Sequence, residues 1–586
     1  MRRPLLARSL SVLRDSIRPI IALAALLLAA VIAYQNSLAA PLVFDDAYSV
    51  ELNPYIRGLW PLWHALVPAP ARPLVNLTFM ANYALGGLDV RGYHLVNIII
   101  HWLAAATLYG LVRRTLHTAT LRERFASSAH GLALAVALLW LVHPLQTQSV
   151  TYIAQRAESL MGLWYLLMLY AVARSSGSPR EQRWWTLAIG ACALGMMTKP
   201  IMVTAPLVVW LYDRVFLAGS WRGALRARGG LHLGLAWTWA VPLIIMTGSS
   251  LWRASVGFSL RGLSPWWYAA TQAQVILHYL RLVVWPDQLC LDYAWPVARR
   301  IATVAGPMSA MAGLFAALAW AWRRAQAAAF CGASALVILA PTSSLLPLAD
   351  LAMEHRMYLP LASILALLVV GGWSLLQRWP LPEPKRRALA VAMVSVLATA
   401  ACWRTIQRNA DYRSGIAIWS QTAALRPLNL RAHNNLGWML SEAGRFDEAI
   451  AEYQRAIALK ANYAAAYNNL GLTYAKQDRL DEAIGAYHAV LAFSPSFVMV
   501  HNNLGDALAR QGRLDEAIAQ YREAIELLPD YVEAHYNLGR VYRRQGHLDQ
   551  AMAELSKALQ LDPDHRAARE ERLAIEGERV QPTSAR

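Results

Sequence analysis

Charged residues are scarce in this sequence. They make up 16% of its 586 residues, whereas hydrophobic residues make up 56%, and the mean hydropathy is +0.29. A soluble protein of this length would carry more charge on its surface, so the composition argues against one. It indicates a membrane protein instead.

Cysteine is rarer still, with four residues: Cys192, Cys290, Cys331 and Cys402. All four lie in or beside apolar segments, without the spacing of metal ligands. This placement is typical of small buried hydrophobic residues, and it argues against both a disulfide framework and a zinc site.

Acidic residues are fewer than basic ones, 37 against 55, which gives a formal net charge of +18. Such an excess can indicate nucleic-acid binding, but the sequence contains no nucleic-acid-binding motif. The basic residues cluster in short loops between apolar segments, as the positive-inside rule describes. We therefore attribute this charge to the loops of a membrane protein, and we expect membrane lipid, not nucleic acid, as a partner.

Long apolar runs dominate the first 405 residues and predict a polytopic, all-α membrane domain. We expect about eleven spans, the first of them uncleaved, at residues 20–40, 93–112, 129–145, 150–173, 184–198, 200–213, 231–249, 302–322, 327–347, 358–376 and 388–404. A further segment, 266–287, contains Gln272, Gln274, His278 and Arg281, which favours an interfacial or re-entrant helix.

The basic loops predict the topology. These loops fall on the cytoplasmic side, as the positive-inside rule requires, if the N-terminus is cytoplasmic and residues 266–287 do not span the membrane. The C-terminal region and the polar motifs described below then share the extracytoplasmic side. The short loops suggest a bacterial inner membrane, although a protein of the endoplasmic reticulum would show the same pattern.

The C-terminal region repeats every 34 residues. Its glycines Gly437, Gly471, Gly505 and Gly539 are spaced 34 apart, and a Leu/Phe-Asp-Glu/Gln-Ala signature follows each in step. A helix–turn–helix repeat of this length predicts a tetratricopeptide-repeat α-solenoid of four repeats at 431–568. Residues 406–430 are predicted to be a connector with a degenerate half repeat, and 569–586 a polar, disordered tail.

An asparagine recurs at one position of each repeat: Asn435, Asn469, Asn503 and Asn537. Such a ladder suits binding the backbone of an extended polypeptide, because amide side chains both donate and accept hydrogen bonds. The alternative is that these asparagines serve packing between helices. The sequence leaves both interpretations open.

Two adjacent carboxylates, Asp45 and Asp46, follow the first apolar run. An acidic pair can begin an ordinary solvated loop. At the mouth of a membrane helix, however, acids usually line a cavity or a site, so we predict that this pair does acid–base chemistry.

Four cations recur at predicted span ends on the same side, and we predict that they bind a phosphate: Arg72, Arg156, Lys199 and Arg356. The alternative for each is a cation that extends to lipid headgroups. Other polar residues near the predicted spans are candidates for supporting roles: His94, His143, Glu158, Asp292, Glu354 and His355.

The order of these motifs resembles a known family. Phe44-Asp45-Asp46, Arg72-Pro73-Leu74, the His94–Asn97 stretch, His143-Pro144 with Ala154-Gln155-Arg156, Leu291-Asp292-Tyr293 and Glu354-His355-Arg356 precede the repeats. Together they are similar to the transmembrane and tetratricopeptide-repeat (TMTC-like) O-mannosyltransferases, which have the C-type (GT-C) glycosyltransferase fold.

The resemblance implies an inverting transfer of mannose or another hexose from a polyprenyl-phosphate donor to Ser/Thr of an extracytoplasmic protein. An acid of the first external loop would be the base, and this maps to Asp45 or Asp46. The second carboxylate would orient the first, raise its pKa or hold a divalent cation. The repeats would present the acceptor polypeptide.

Two other classes of function stay open at this point. One is a non-enzymatic, membrane-anchored repeat scaffold for envelope assembly or secretion, although a simple anchor needs a single span. The other is a glycan ligase or a lipid-carrier flippase. We see no internal hydropathy repeat in the membrane half, which argues against a transporter.

Overall fold

The computed structural model describes residues 2–66, 72–247 and 264–580. It forms two compact units, Met1–Ile418 and Trp419–Arg586. The described residues form helices and turns without a β-sheet, as predicted for an all-α chain.

The first unit is a helical bundle, in which we number the described helices of eight residues or more. They are α1 Arg2–Tyr34, α2 Pro73–Gly86, α3 Val90–Leu116, α4 Ala129–Leu141, α5 Arg156–Ser175, α6 Glu181–Met196, α7 Ala205–Tyr212, α8 Trp221–Trp237, α9 Ala240–Thr247, α10 Pro265–Val284, α11 Ile301–Arg324, α12 Gln326–Leu339, α13 Pro360–Leu376 and α14 Glu383–Asp411.

Six segments of the described chain are long and apolar enough to cross a membrane: Ile17–Ser37, Val90–Leu116, Arg122–Leu141, Pro200–Leu217, Ile301–Arg324 and Glu383–Asp411. Helices α12 and α13 are apolar but shorter. The predicted spans at 150–173 and 184–198 coincide with α5 and α6, whereas the span at 231–249 is divided between α8 and α9. The number eleven therefore stays a prediction.

Helix α10 covers most of the segment for which the sequence favoured an interfacial helix. Half of its residues are buried within the protein, among them Gln272 and Tyr279. Gln272 donates a hydrogen bond to the Leu351 carbonyl, and Tyr279 donates one to the Met353 carbonyl. These bonds hold the loop before α13 against α10.

Between α4 and α5 the chain takes short turns instead of continuing a helix. Residues 141–154 are buried throughout, including Gln146, Thr147, Gln148 and Ser149. His143-Pro144 causes the break, since proline disfavours a helical conformation in the residue before it. This buried polar segment contacts the loops of the candidate site through Gln148, Tyr152 and Ala154.

The second unit consists of paired antiparallel helices, and these confirm the predicted repeats. The pairs are Leu430–Glu442 with Phe446–Leu459, Ala464–Lys476 with Leu480–Phe493, Val498–Arg510 with Leu514–Leu527, and Val532–Arg544 with Leu548–Leu561. In the first three, a glycine of one helix faces a tyrosine ring of the other, as with Gly471 and Tyr487.

The predicted disordered tail is wrong for residues 569–580. A final helix spans Arg566–Val580, and its Ala568 and Ile575 are buried in the core of the repeats. The two buried residues are seven positions apart in an otherwise highly charged segment, so the sequence gives only a weak indication of this helix. Residues 581–586 lie outside the described chain.

Candidate active site

Asp46 is buried beneath the loop that follows α1, with 1% of its surface exposed. Its Oδ2 accepts a hydrogen bond from the Val43 N–H at 3.0 Å, and its Oδ1 accepts one from the Ala154 N–H at 2.6 Å. Burial raises the pKa of Asp46 to about 8, although both hydrogen bonds act against this rise. Asp46 therefore ties the loop to the buried segment between α4 and α5.

Asp45 is exposed, in contrast to its neighbour. Its backbone N–H donates to the Tyr152 hydroxyl at 3.0 Å. The preceding Phe44 has a φ of 51°, a left-handed conformation that costs energy for a residue with a side chain. The bonds of Asp46 and Tyr152 hold this turn, and the turn leaves the Asp45 carboxylate accessible.

Arg72, immediately before α2, lies close enough to Asp45 for the two charges to interact. Burial lowers the pKa of Arg72, and the negative charges of Asp45 and Glu158 raise it. No described side chain makes a hydrogen bond with its guanidinium, a group with five N–H donors.

Lys199 is the second cation of the cluster. It precedes the turn Pro200–Thr204, and its Nζ forms an ion pair with Glu158 on the first turn of α5. Lys199 and Glu158 retain only 12% and 2% side-chain exposure. Burial lowers the pKa of Lys199, Glu158 raises it, and the charges of Arg72 and Arg356 lower it further.

His355 lies close to the same cations. Its backbone N–H and its Nδ1–H both donate to Gln148 Oε1, at 2.8 and 3.1 Å. Burial, Lys199, Arg356 and Arg72 hold its pKa well below the ordinary value. His355 is therefore a neutral imidazole whose Nε2 is an acceptor.

Arg356 is committed to its own loop. It donates to the carbonyl oxygens of Thr342, Leu351 and Asp350 at 3.3, 2.9 and 2.5 Å. It contributes positive charge to the cluster and shapes the loop before α13, but its hydrogen bonds are used within the protein.

The phosphate-binding role predicted for Arg156 does not fit the structure. Its side chain is fully buried, and its N–H groups donate to Asn97, Asn82, Thr78 and the Tyr93 carbonyl, the first two at 2.6 and 2.7 Å. Its guanidinium also lies 4.6 Å from the Phe79 ring centre. Arg156 instead joins α2, α3 and α5.

Two predicted supporting histidines join separate parts of the chain. His94 Nε2 lies 2.9 Å from the Ala40 carbonyl, and His143 Nε2 lies 3.0 Å from the Val283 carbonyl. The Nδ1 of His143 accepts from the Leu145 N–H, so its Nε2 carries the proton. Both histidines position loops around the site.

The acids Glu354 and Asp292 belong to a neighbouring network. Glu354 Oε1 accepts from the Cys290 N–H and the Tyr293 hydroxyl, at 2.7 and 3.1 Å. Burial raises the pKa of Glu354, and Arg408, 3.7 Å away, lowers it. Asp292 Oδ1 accepts from the Ala294 N–H.

The structure thus brings Asp45, Arg72, Glu158 and Lys199 into one charged cluster, with the neutral His355 beside it. Asp46, Arg156 and Arg356 use their side-chain hydrogen bonds within the protein, and they hold the surrounding loops and helices in place. Among the described residues, no group of three or more His, Cys, Asp or Glu side chains is arranged to hold a metal ion.

Three residues that support the site are not among those predicted from the sequence: Tyr152, Asn82 and Arg408. The sequence does offer a reason to select Arg408, because a charged residue that continues an apolar helix normally has a buried partner. The sequence offers no such reason for Tyr152 and Asn82, since each makes its hydrogen bond to a residue more than 70 positions away.

The asparagine ladder of the second unit links neighbouring repeats. Asn469, Asn503 and Asn537 each donate to an asparagine of the preceding repeat, for example Asn503 Nδ2 to Asn468 Oδ1 at 2.9 Å. Asn435 accepts from Asn434 at 3.1 Å. These contacts support the interpretation that the asparagines serve packing between helices. All four side chains are nevertheless half-buried.

Family comparisons agree with this architecture. The TPR repeat family matches residues 437–478 and 505–546, and the Tetratricopeptide repeat family matches residues 464–497 and 532–565. Among solved structures, the chain is similar to "Crystal structure of MamA", with 24% identity, 27% of this chain and 92% of that chain covered, and a TM-score of 0.25.

Curated relatives extend the similarity into the first unit. "Protein O-mannosyl-transferase Tmtc3" of Drosophila melanogaster is 26% identical over 72% of this chain and 53% of its own length. "Protein O-mannosyl-transferase TMTC3" of Mus musculus is 24% identical over 71% of this chain and 49% of its own length. The chain thus spans about half the length of these relatives. The resemblance predicted from the motifs is confirmed: over about 70% of its length, this chain is similar to the TMTC protein O-mannosyl-transferases.

Proposed function

We propose that the protein is an integral membrane glycosyltransferase that moves mannose or another hexose from a polyprenyl phosphate to a Ser or Thr hydroxyl of a polypeptide. One observation carries the proposal above the others. Asp45 has an accessible carboxylate close enough to Arg72 for the two charges to interact, and Arg72 makes no hydrogen bond to a described side chain. The names of the relatives support the same reaction class.

Asp45 is the base in this mechanism. It takes the proton of the acceptor hydroxyl, whose oxygen then attacks the anomeric carbon of the sugar. The bond between that carbon and the phosphate oxygen breaks, and the polyprenyl phosphate leaves with the bonding electrons. A single displacement of this kind inverts the configuration at the sugar.

Asp46 positions the base and does not act as one. Both of its oxygens accept backbone N–H groups, and the side chain is buried. This assignment chooses between the two carboxylates that the sequence left open. It also uses the coordinating oxygens of Asp46, so no step here requires Asp46 to hold a divalent cation.

Arg72 and Lys199 stabilise the leaving phosphate, since negative charge develops there as the sugar departs. Arg72 offers the forked geometry that suits a phosphate. Glu158 partly neutralises Lys199 in the absence of a donor, and it holds the ammonium group in place. A neutral His355 adds no charge and leaves Nε2 as an acceptor for a sugar hydroxyl.

We assign acceptor binding to the tetratricopeptide repeats, which are protein-interaction modules. The asparagines of the ladder link neighbouring repeats, and because they stay half-buried they can also offer hydrogen bonds to a polypeptide backbone without reading its sequence. The charge pattern supports an extracytoplasmic site, with the N-terminus cytoplasmic and the repeats periplasmic in a bacterial inner membrane.

The test is transfer of radiolabelled mannose from polyprenyl-phosphate mannose to endogenous protein in membranes that contain wild type, Asp45→Asn or Asp89→Asn. Asp89 is a matched control, because it is exposed and caps α3, and asparagine is an equally good cap. We expect Asp45→Asn to lower transfer by about 10²- to 10⁴-fold, the usual value of a general base. Asp89→Asn should leave transfer unchanged.

Consumption of donor without label on protein would redirect the proposal to a ligase or flippase. Full complementation of a deletion phenotype by Asp45→Asn, with no donor of a panel consumed, would favour the scaffold.

A further inference from the structure

The first unit contains a cavity of about 500 Å³ that the proposed reaction does not use. It lies between α3, α5, α7, α12 and α13, and most of its lining side chains are aliphatic or aromatic. Its volume is in the range of known ligand sites, about 300–1,000 Å³. An occupant must therefore have an apolar body.

The charged lining residues of this cavity lie at helix ends. Arg124 belongs to the connection between α3 and α4, and Arg324 ends α11. The polar but uncharged Gln326 begins α12. Ser374, near the end of α13, lies with them on the lining.

This basic end is remote from the candidate active site. Helix α13 begins directly after the loop that contains His355 and Arg356, and its Leu359 end also reaches the cavity. At 1.5 Å per residue, Ser374 lies about 20 Å from Leu359 along the helix axis. The cavity thus extends from the level of the active site to the opposite end of the bundle.

Both arginines are exposed. Neither has an acidic side chain within 4 Å in the described part of the chain. Cations that line the end of an apolar cleft are complementary to an amphiphile with an anionic head and an apolar chain.

We propose that this cleft binds an anionic phospholipid, with its headgroup on Arg124 and Arg324 and an acyl chain in the cavity. The lipid comes from the leaflet at the basic end, whereas the sugar donor acts at the other end. The proposal requires membrane insertion of the bundle, and it does not depend on the transferase activity.

The test is lipid binding to the purified, delipidated full-length protein, measured by native mass spectrometry with phosphatidylglycerol and phosphatidylcholine as probes. The variant is Arg124→Gln/Arg324→Gln. Its matched control is Arg122→Gln/Arg323→Gln, which removes two exposed arginines from the same connections that do not line the cavity. A third variant, Ala366→Trp, fills the cavity without changing charge.

We expect wild type and the control to retain one phosphatidylglycerol per chain in preference to phosphatidylcholine. Arg124→Gln/Arg324→Gln should lose that preference, and Ala366→Trp should reduce retention of the lipid several-fold. Ala366→Leu replaces the tryptophan variant if the latter misfolds.

Three results would overturn the proposal. The first is equal loss of binding in the control pair, which would indicate a diffuse charge effect. The second is full binding by both cavity-filling variants. The third is displacement of phosphatidylglycerol by polyprenyl phosphate at equal concentration, which would assign the cleft to the tail of the donor.

Discussion

Asp46 combines burial with two accepted backbone hydrogen bonds, from Val43 and Ala154. Its pKa of about 8 in the folded protein lies above the ordinary value of 3.8, so the folded state holds this proton more tightly than the unfolded state does. The resulting stabilisation is complete below about pH 4, and it is lost as the pH rises through about 8.

We therefore predict a pH-dependent difference between wild type and Asp46→Asn, a variant that stays neutral at every pH. The apparent unfolding temperature of wild type relative to Asp46→Asn should fall between about pH 4 and about pH 8 and stay level above that range. Tryptophan fluorescence of the detergent-purified proteins measures it. A difference that stays constant across this range would show that Asp46 does not titrate there.

The ion pair of Lys199 and Glu158 gives a second prediction. Lys199→Met should destabilise the protein by about 3–5 kcal/mol, because it leaves the Glu158 carboxylate buried without its partner. Lys199→Met/Glu158→Leu should recover most of that loss but transfer no sugar, since the cation near the leaving phosphate is still missing.

The exposed pair Arg281–Asp287 is the control for that measurement. Its side chains are 48% and 31% exposed, so Arg281→Met should cost about 0–1 kcal/mol. Chemical denaturation gives all the values. If the double variant were as unstable as Lys199→Met, the pair would not be the source of the loss.

How well the sequence predicts the contacts of a residue depends on how far away its partners lie in the chain. The 34-residue period predicts that Gly437 and its equivalents face a neighbouring helix, because the contact is local and repeated. The sequence also predicts that Asp45 and Asp46 share a loop. It cannot separate their environments, because the bond that buries Asp46 comes from Ala154, 108 residues away.

Arg156 shows the same limit. An arginine beside an acid at a predicted span end looks like a ligand-binding cation. The side chains that accept its hydrogen bonds lie on α2 and α3, 59 to 78 residues earlier. Only the packing of the bundle brings them next to the guanidinium.

At the scale of helices, close approach decides which glycines are required. A Cβ on Gly471 would lie 2.5 Å from the Tyr487 ring, whereas a Cβ on Gly485 would have no atom of another residue within 4 Å. Both glycines are helical, so the intrinsic gain from alanine, about 1 kcal/mol, is the same for each.

We predict opposite effects for the two substitutions. Gly471→Ala should destabilise the second repeat by about 1–3 kcal/mol through overpacking, and Gly485→Ala should stabilise it by up to about 1 kcal/mol. Hydrogen exchange of residues 464–493 in the full-length protein reports both. Equal protection in the two variants would mean that Tyr487 moves aside at no cost.

At the scale of the whole molecule, the apolar helices and the distribution of arginine imply a defined orientation in the membrane. If Asp45 and the repeats share the extracytoplasmic side, each can serve the same acceptor. If they lie on opposite sides, the repeats cannot present a polypeptide to Asp45, and the proposed division of labour fails.

Single cysteines distinguish these arrangements. Ala84→Cys, at the end of α2, and Asn462→Cys, in a turn of the repeats, should react with a membrane-impermeant maleimide in intact spheroplasts. Ser127→Cys, between α3 and α4, should react only after permeabilisation, and all three positions are exposed. The native cysteines are buried or half-buried, so wild type gives the background. Reaction of Ala84→Cys and Asn462→Cys from opposite sides would contradict the proposal, because a polypeptide bound by the repeats would then be separated from the base by the bilayer.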